Sequence, residues 1–200
     1  MNLMNTVEIN NQRIYDVGKQ AERDDFWEVL QAKGTPTRYY WRFAYNWNNN
    51  IYNPKYDIVG VNANNALGNT FYTSNITDTK VAIDATRVPT GLDATFYWAR
   101  ALKRIRKLVI TESTTFKQSF VDCKSLISID EIEGKIGQNI NLKDCVLFNK
   151  ETIERLVEAL SNTTTELTLT LSAEAVNNAF TPEEWSALEA TKTNWTISLV

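Results

Sequence analysis

The stretch Phe120–Gly134, FVDCKSLISIDEIEG, places Phe120, Cys123, Leu126, Ile129 and Ile132 three residues apart at every step. A strand turns one face inward at every second residue, and a helix mixes steps of three and four. A strict period of three therefore fits neither. Upstream, FYWARALKRIRKL sets Phe96, Ala99, Leu102, Ile105 and Leu108 on the same five steps, an offset of 24 residues (120 minus 96). A fainter copy starts at Phe71, 25 residues before Phe96, with Val81 and Ile83 near the places where later units carry apolar residues. Another starts at Leu142, 22 residues after Phe120, and keeps Cys145 and Phe148 three apart.

Spacings of 22 to 25 residues fall within the ~20 to 29 of leucine-rich repeats, whose units each supply one short strand and a return turn to a stacked solenoid. In such a coil the chain turns inward repeatedly around a narrow core, which brings apolar residues to about every third position. The pattern predicts that Phe120, Leu126 and Ile129 meet Phe96, Leu102 and Ile105 one coil away, with in-register strands ~4.8 Å apart. It also predicts that Cys123 and Cys145 hold equivalent positions in adjacent coils as free thiols, their Cα atoms near disulfide distance.

Downstream of the repeats, NKETIERLVEALSN opens on Asn149 as a helix N-cap and lines up Ile153, Leu156, Val157 and Leu160 on one face. TELTLTLS alternates Leu167, Leu169 and Leu171 with threonines, as a strand with one buried face does. TPEEWSALEATKTNW starts a second helix with Thr181 as cap and Pro182 at the first helical position, and WTISLV is a final strand. Upstream, Ile14, Val17, Ala21, Phe26, Val29 and Leu30 predict an amphipathic helix that Gly34 and Pro36 stop. The predicted fold class is α/β: a short leucine-rich-repeat solenoid with an N-terminal helix and a helix-strand-helix-strand C-terminal cap. Its parts are residues 1–34 (helical segment), 35–65 (aromatic N-terminal cap), 66–148 (degenerate repeats) and 149–200 (α/β cap).

The stretch RYYWRFAYNWNNNIYNPKY crowds Tyr39, Tyr40, Trp41, Phe43, Tyr45, Trp47, Tyr52 and Tyr56 among asparagines. Such rings fit two jobs. One is a lid on the open end of a repeat stack, whose terminal unit lacks a neighbour. The other is a sugar platform, in which flat rings cover a pyranose and asparagines bond its hydroxyls.

Composition narrows the chemistry. The 200 residues carry 21 basic and 24 acidic side chains, a net charge of -3 that gives no general attraction to nucleic acid. The chain has no histidine, which removes the commonest general base, the commonest zinc ligand and every Ser-His-Asp or Cys-His arrangement. Two cysteines without a CxxC spacing read as packing residues. No segment approaches the ~20 apolar residues of a membrane span, and MNLMNTVEINNQ lacks the basic start and apolar run of a secretory signal. The expectation is a protein that stays in the cytosol or leaves by a route needing no signal. The N-x-[ST] matches at Asn75, Asn162 and Asn194 then read as chance.

Two charge groupings stand out. KRIRK surrounds Ile105 with Lys103, Arg104, Arg106 and Lys107 as an exposed strip. It reads either as an attractor for a phosphorylated or acidic polymer or as a solvated, edge-guarding face. The acids Asp24, Asp25 and Glu28, and Glu131 with Glu133, read as solvated surface, without the convergent pocket that acid-base catalysis needs.

Taken together, the FxxCxxLxxI units, the linker IEGKIGQNINLKDC, the phrases YNPKYDI and ITDTKVAIDAT, and the ending LTLTLSAEAVNNAFTPEEWSALEATKTNWTISLV resemble BspA-type leucine-rich-repeat proteins of gut bacteria and their bacteriophages. The resemblance covers roughly Gly34 to Val200. It implies a non-catalytic binding scaffold, as in surface adhesins and phage tail proteins, with no cofactor, no metal and no catalytic residue. With no signal in view, the expectation is a virion-associated, phage-tail recognition protein, made in the bacterial cytoplasm and contacting a host cell-surface glycan or protein. A bacterial surface adhesin and a cytosolic interaction module are the alternatives. Trp41, Tyr45, Trp47, Arg104 and Arg106 are the expected ligand contacts. The N-terminal helix is the expected attachment to other virion proteins or to itself, and neither nucleic acid nor membrane insertion is expected.

Overall fold

The first half of each period-three stretch folds as successive tight turns, and the second half as short strands. Cys123 N–H donates to the Phe120 carbonyl at 3.3 Å and Leu126 N–H to the Cys123 carbonyl at 3.1 Å. One offset earlier, Ala99 N–H donates to Phe96 at 2.9 Å and Leu102 N–H to Ala99 at 3.1 Å. A bond from residue i+3 back to residue i returns the chain to the same side every three residues, as in a 3-10 turn. All of these apolar side chains except Ile132 are buried, and Ile132 is half-buried against the same core.

The computed structural model describes residues 43–44, 52, 54, 56–162 and 165–200. The helix expected over Ile14–Leu30, and Trp41, Tyr45 and Trp47, lie outside the described residues. The architecture is mixed α/β, with parallel strands and three helices among the described residues. In chain order these are β1 (Ile58–Val59), β2 (Ala82–Asp84), β3 (Arg104–Ile105), β4 (Lys107–Val109), β5 (Ser128–Ile129), β6 (Ile132–Glu133), β7 (Ile140–Leu142), α1 (Lys150–Ala159), β8 (Leu167–Leu171), α2 (Ala173–Ala179), α3 (Pro182–Glu189) and β9 (Trp195–Leu199).

The strands form parallel sheets ordered β1-β2-β4-β6, β3-β5 and β7-β8-β9. Their register restates the sequence offset. Ile58 pairs with Ile83 and Ile83 with Leu108, each 25 residues on, while Leu108 pairs with Ile132 and Ile105 with Ile129, each 24 on. Among the described residues, strand pairing begins at Ile58.

A column of rings runs through the core. Phe43, Phe71, Phe96 and Phe120 stack in turn with centroids 5.3, 5.4 and 5.5 Å apart. All four are buried, each worth ~1.5–3 kcal/mol by burial alone. Tyr52 meets Phe43 and Phe71 edge-on, and its hydroxyl donates to the Thr79 carbonyl at 2.7 Å. Phe43 and Tyr52, from the aromatic stretch, thereby pack against the Phe71 ring.

Both cysteines are free and buried. Burial pushes the Cys123 thiol up to about 12 and Cys145 well above the ordinary thiol range. Cys123 Sγ lies 3.1 Å from the Phe96 carbonyl, to which it donates.

The C-terminal elements follow their local signals. Asn149 caps α1, its side chain accepting from Thr152 N–H, and Thr181 and Glu184 form a reciprocal capping box on α3. Leu169 and Leu171 of β8 are buried, and β8 lies between β7 and β9. The expected helix-strand-helix-strand order needs one correction: α2 is an additional helix between β8 and α3. It is short, carries two asparagines, and buries only Ala175 and Val176. So narrow an apolar face leaves little periodic trace, and the helix depends on the Ser172 cap, whose hydroxyl accepts from Ala175 N–H.

Candidate functional site

Two surface features come from the repeated stretches. The first is the KRIRK strip on β3 and β4. Ile105 is buried as expected, but three of the four cations around it, Arg104, Arg106 and Lys107, are matched by acids of neighbouring stretches. Arg104 pairs with Asp130. Arg106 grips Asp78 with two parallel bonds, Nε to Oδ1 at 3.0 Å and Nη2 to Oδ2 at 2.7 Å. Lys107 Nζ lies 2.7 Å from both Glu131 and Glu133. Hydrogen bonds that Lys107 donates to these two carboxylates, Glu131 first, hold its amine above the usual lysine range.

Arg104 and Arg106, expected as ligand contacts, are thus engaged within the chain. An incoming anion must compete with Asp78 and Asp130 for their guanidinium groups. Glu131 and Glu133 hold a lysine, as structural acids do. The arrangement is a charge-paired zipper across neighbouring stretches, and exposed pairs of this kind contribute little to stability.

The second feature lies directly after the phenylalanine column. Phe71, Phe96 and Phe120 point inward, and the residues that follow them, Tyr72, Tyr97 and Val121, point out. The next residue in each unit has a left-handed backbone: Thr73 (φ 49), Trp98 (φ 58) and Asp122 (φ 60). For a residue as bulky as tryptophan this conformation is rare and disfavoured by ~1–2 kcal/mol. The neighbouring stretch holds it in place, with Phe96 N–H donating to the Ser119 carbonyl at 3.2 Å and Trp98 N–H to the Val121 carbonyl at 2.9 Å.

The outcome is a corner of three near-parallel rings. Tyr72 and Tyr97 have centroids 5.7 Å apart, Tyr97 and Trp98 5.6 Å, and Tyr72 and Trp98 6.1 Å, with interplanar angles of 6 to 14°. Trp98 is 37% exposed, a high value for so large an apolar side chain. The Arg100 guanidinium lies 5.2 Å from the Trp98 ring centroid and is hydrogen-bonded to Asp122. Asp122 also pairs with Lys124 at 2.8 Å, and its own N–H donates to Asp144 at 2.9 Å. Burial alone would raise the Asp122 carboxyl. Hydrogen bonds from Lys124 and Arg100 outweigh it and hold the group below the usual carboxylate range.

The corner combines ring surface, phenol hydroxyls and a guanidinium. That set suits a ligand with an apolar face and hydroxylated edges, such as a pyranose. Sequence reasoning named Trp41, Tyr45 and Trp47, where rings are densest, and did not single out Tyr72, Tyr97 and Trp98. The available signal was the offset itself: FYTSN, FYWAR and FVDCK align on their phenylalanines. Comparison of the chain with protein-family models, curated proteins and solved structures returns no match.

Proposed function

We propose that the protein is a non-catalytic recognition component built on a short leucine-rich-repeat solenoid. In this reading the stretches paired at offsets of 24 and 25 residues are successive coils, and the α1-to-β9 segment closes the stack. The observation that carries the proposal is the Tyr72, Tyr97 and Trp98 corner, which shares the offset of the buried phenylalanines. The register that builds the core thereby sets rings side by side on the surface. The resemblance to BspA-type repeat proteins supports a phage-tail or virion-associated role, with a host surface glycan or protein as partner. A bacterial surface adhesin and a cytosolic module would use the same corner.

The test is to display the purified protein in many copies on a particle and measure its retention on host-surface glycans. The control is a Tyr97→Ala/Trp98→Gly variant, in which glycine accepts the left-handed backbone. Multivalent display can raise avidity ~10² to 10⁴-fold, which makes weak single contacts readable. Retention lost in the folded variant supports the corner, and equal retention removes it. Capsid, portal and tail genes beside the coding sequence would favour the virion over the cell surface.

A further inference from the structure

A cleft of about 420 Å³ opens between the turn at residues 115–118 and the outer face of β7 and β8. That volume lies within the ~300–1,000 Å³ of small-ligand sites. Its lining is unusual in chemistry: amides and hydroxyls predominate, no carboxylate is present, and Lys117 is the one ionised side chain.

The fold produces this lining by simple alternation. On β8, Leu169 and Leu171 turn into the core, so Thr168 and Thr170 face outward. Thr170 pairs with Asn141 of β7, whose neighbours Ile140 and Leu142 are buried. Across the cleft, Gln118 stands at a left-handed position (φ 59) of the turn.

Several of these groups are already oriented. The Asn139 carbonyl oxygen accepts from Thr168 N–H at 2.8 Å, and the Asn141 carbonyl oxygen accepts from Lys143 N–H at 3.1 Å. Each amide is thereby pinned with its NH2 group left as a donor. The side chains of Gln118, Gln138, Thr168 and Thr170 make no hydrogen bond to another described residue. Thr115 spends its hydroxyl proton on the Thr90 carbonyl at 2.9 Å and keeps acceptor capacity. Donors and acceptors are mixed at close range, with neither a cation cluster for a phosphate nor a carboxylate for a cation.

We infer that this cleft binds a neutral polyhydroxylated ligand, a segment of an uncharged oligosaccharide. Each sugar hydroxyl both donates and accepts, matching the mixed lining, and an uncharged chain needs no counter-charge. The ligand is a chain of sugars, because the polar face continues past the cleft. Thr168 pairs with Thr196 and Thr170 with Ser198, so β9 carries hydroxyls one strand further, Thr196 Oγ1 donating to Glu166 at 3.0 Å. The inference rests on the recognition reading above and names the ligand class.

The test uses the full-length protein in multivalent form on an immobilised panel of neutral and acidic glycans. It is run beside Thr168→Val/Thr170→Val, which keeps β-branched side chains, and separately beside Gln118→Glu, which places a charge in the cleft. The expected result is retention on at least one neutral glycan that falls at least tenfold in both variants, with unchanged unfolding midpoints. Neutral-glycan retention that persists in both folded variants overturns the cleft and leaves the recognition reading intact. Retention on acidic glycans alone also overturns it. No retention on any glycan or on host cells overturns both readings together.

Discussion

Trp98 and Ala94 share one backbone conformation and illustrate what the turns demand of single residues. Ala94 has φ 53, and its counterparts Asn69 and Gln118, one offset either side, have φ 52 and 59. A left-handed alanine is disfavoured by ~1–2 kcal/mol, whereas glycine adopts this region freely at an entropic cost of ~0.5–1 kcal/mol. Ala94→Gly is therefore expected to stabilise the protein by up to ~1 kcal/mol, while the same change at buried Ala99 destabilises it. Urea midpoints of the two variants check the sign. The corner has a pH signature as well. Asp122 is held below the ~3.9 of an unfolded aspartate, so its contribution to stability is complete above about pH 4 and is lost as pH falls through its folded value. The stability gap between wild type and Asp122→Asn should be widest near neutrality and close in acid, read from denaturation curves at stepped pH. Much of this scale was legible. Once Phe71, Phe96 and Phe120 are aligned, Tyr72 and Tyr97 fall into one column. The acids that meet KRIRK were harder to see, because Asp78 and Asp130 lie 28 and 26 residues from their arginines and become neighbours only through the fold.

Elements here are short, and the ends of several are fixed by single residues. Asn149, Thr181 and the β8 alternation could be read directly, since caps and period-two patterns are local in sequence. The short strands could not be bounded that way, because pairs such as Ile105 with Ile129 are specified by the neighbouring stretch and not by local propensity. Gly134 shows how closely the stretches approach. It follows β6 with φ +104, and an added Cβ would lie 2.0 Å from the carbonyl oxygen of Ile110, just beyond β4. Gly134→Ala combines a strained backbone, of order 1–3 kcal/mol, with a clash against main chain that cannot swing aside. A loss of at least ~2 kcal/mol is expected by chemical denaturation. A change within ~0.5 kcal/mol would mean that β4 and β6 approach less closely than the parallel pairing requires.

At the scale of the molecule, one offset organises the core rings, the parallel strands, the left-handed turns and the aromatic corner. That shared register is the central claim, and the phenylalanine column tests it directly. Phe71 stacks on Phe96 and Phe96 on Phe120, and no ring contact joins Phe71 to Phe120. Leucine substitutions keep each site apolar while removing the ring, so stability can be measured for Phe71→Leu, Phe96→Leu, Phe120→Leu and the three pairwise combinations. The predicted result is coupling of roughly 0.5 kcal/mol or more for 71 with 96 and for 96 with 120, with 71 and 120 additive within ~0.3–0.5 kcal/mol. Coupling absent from both adjacent pairs, or strongest between 71 and 120, would contradict the register.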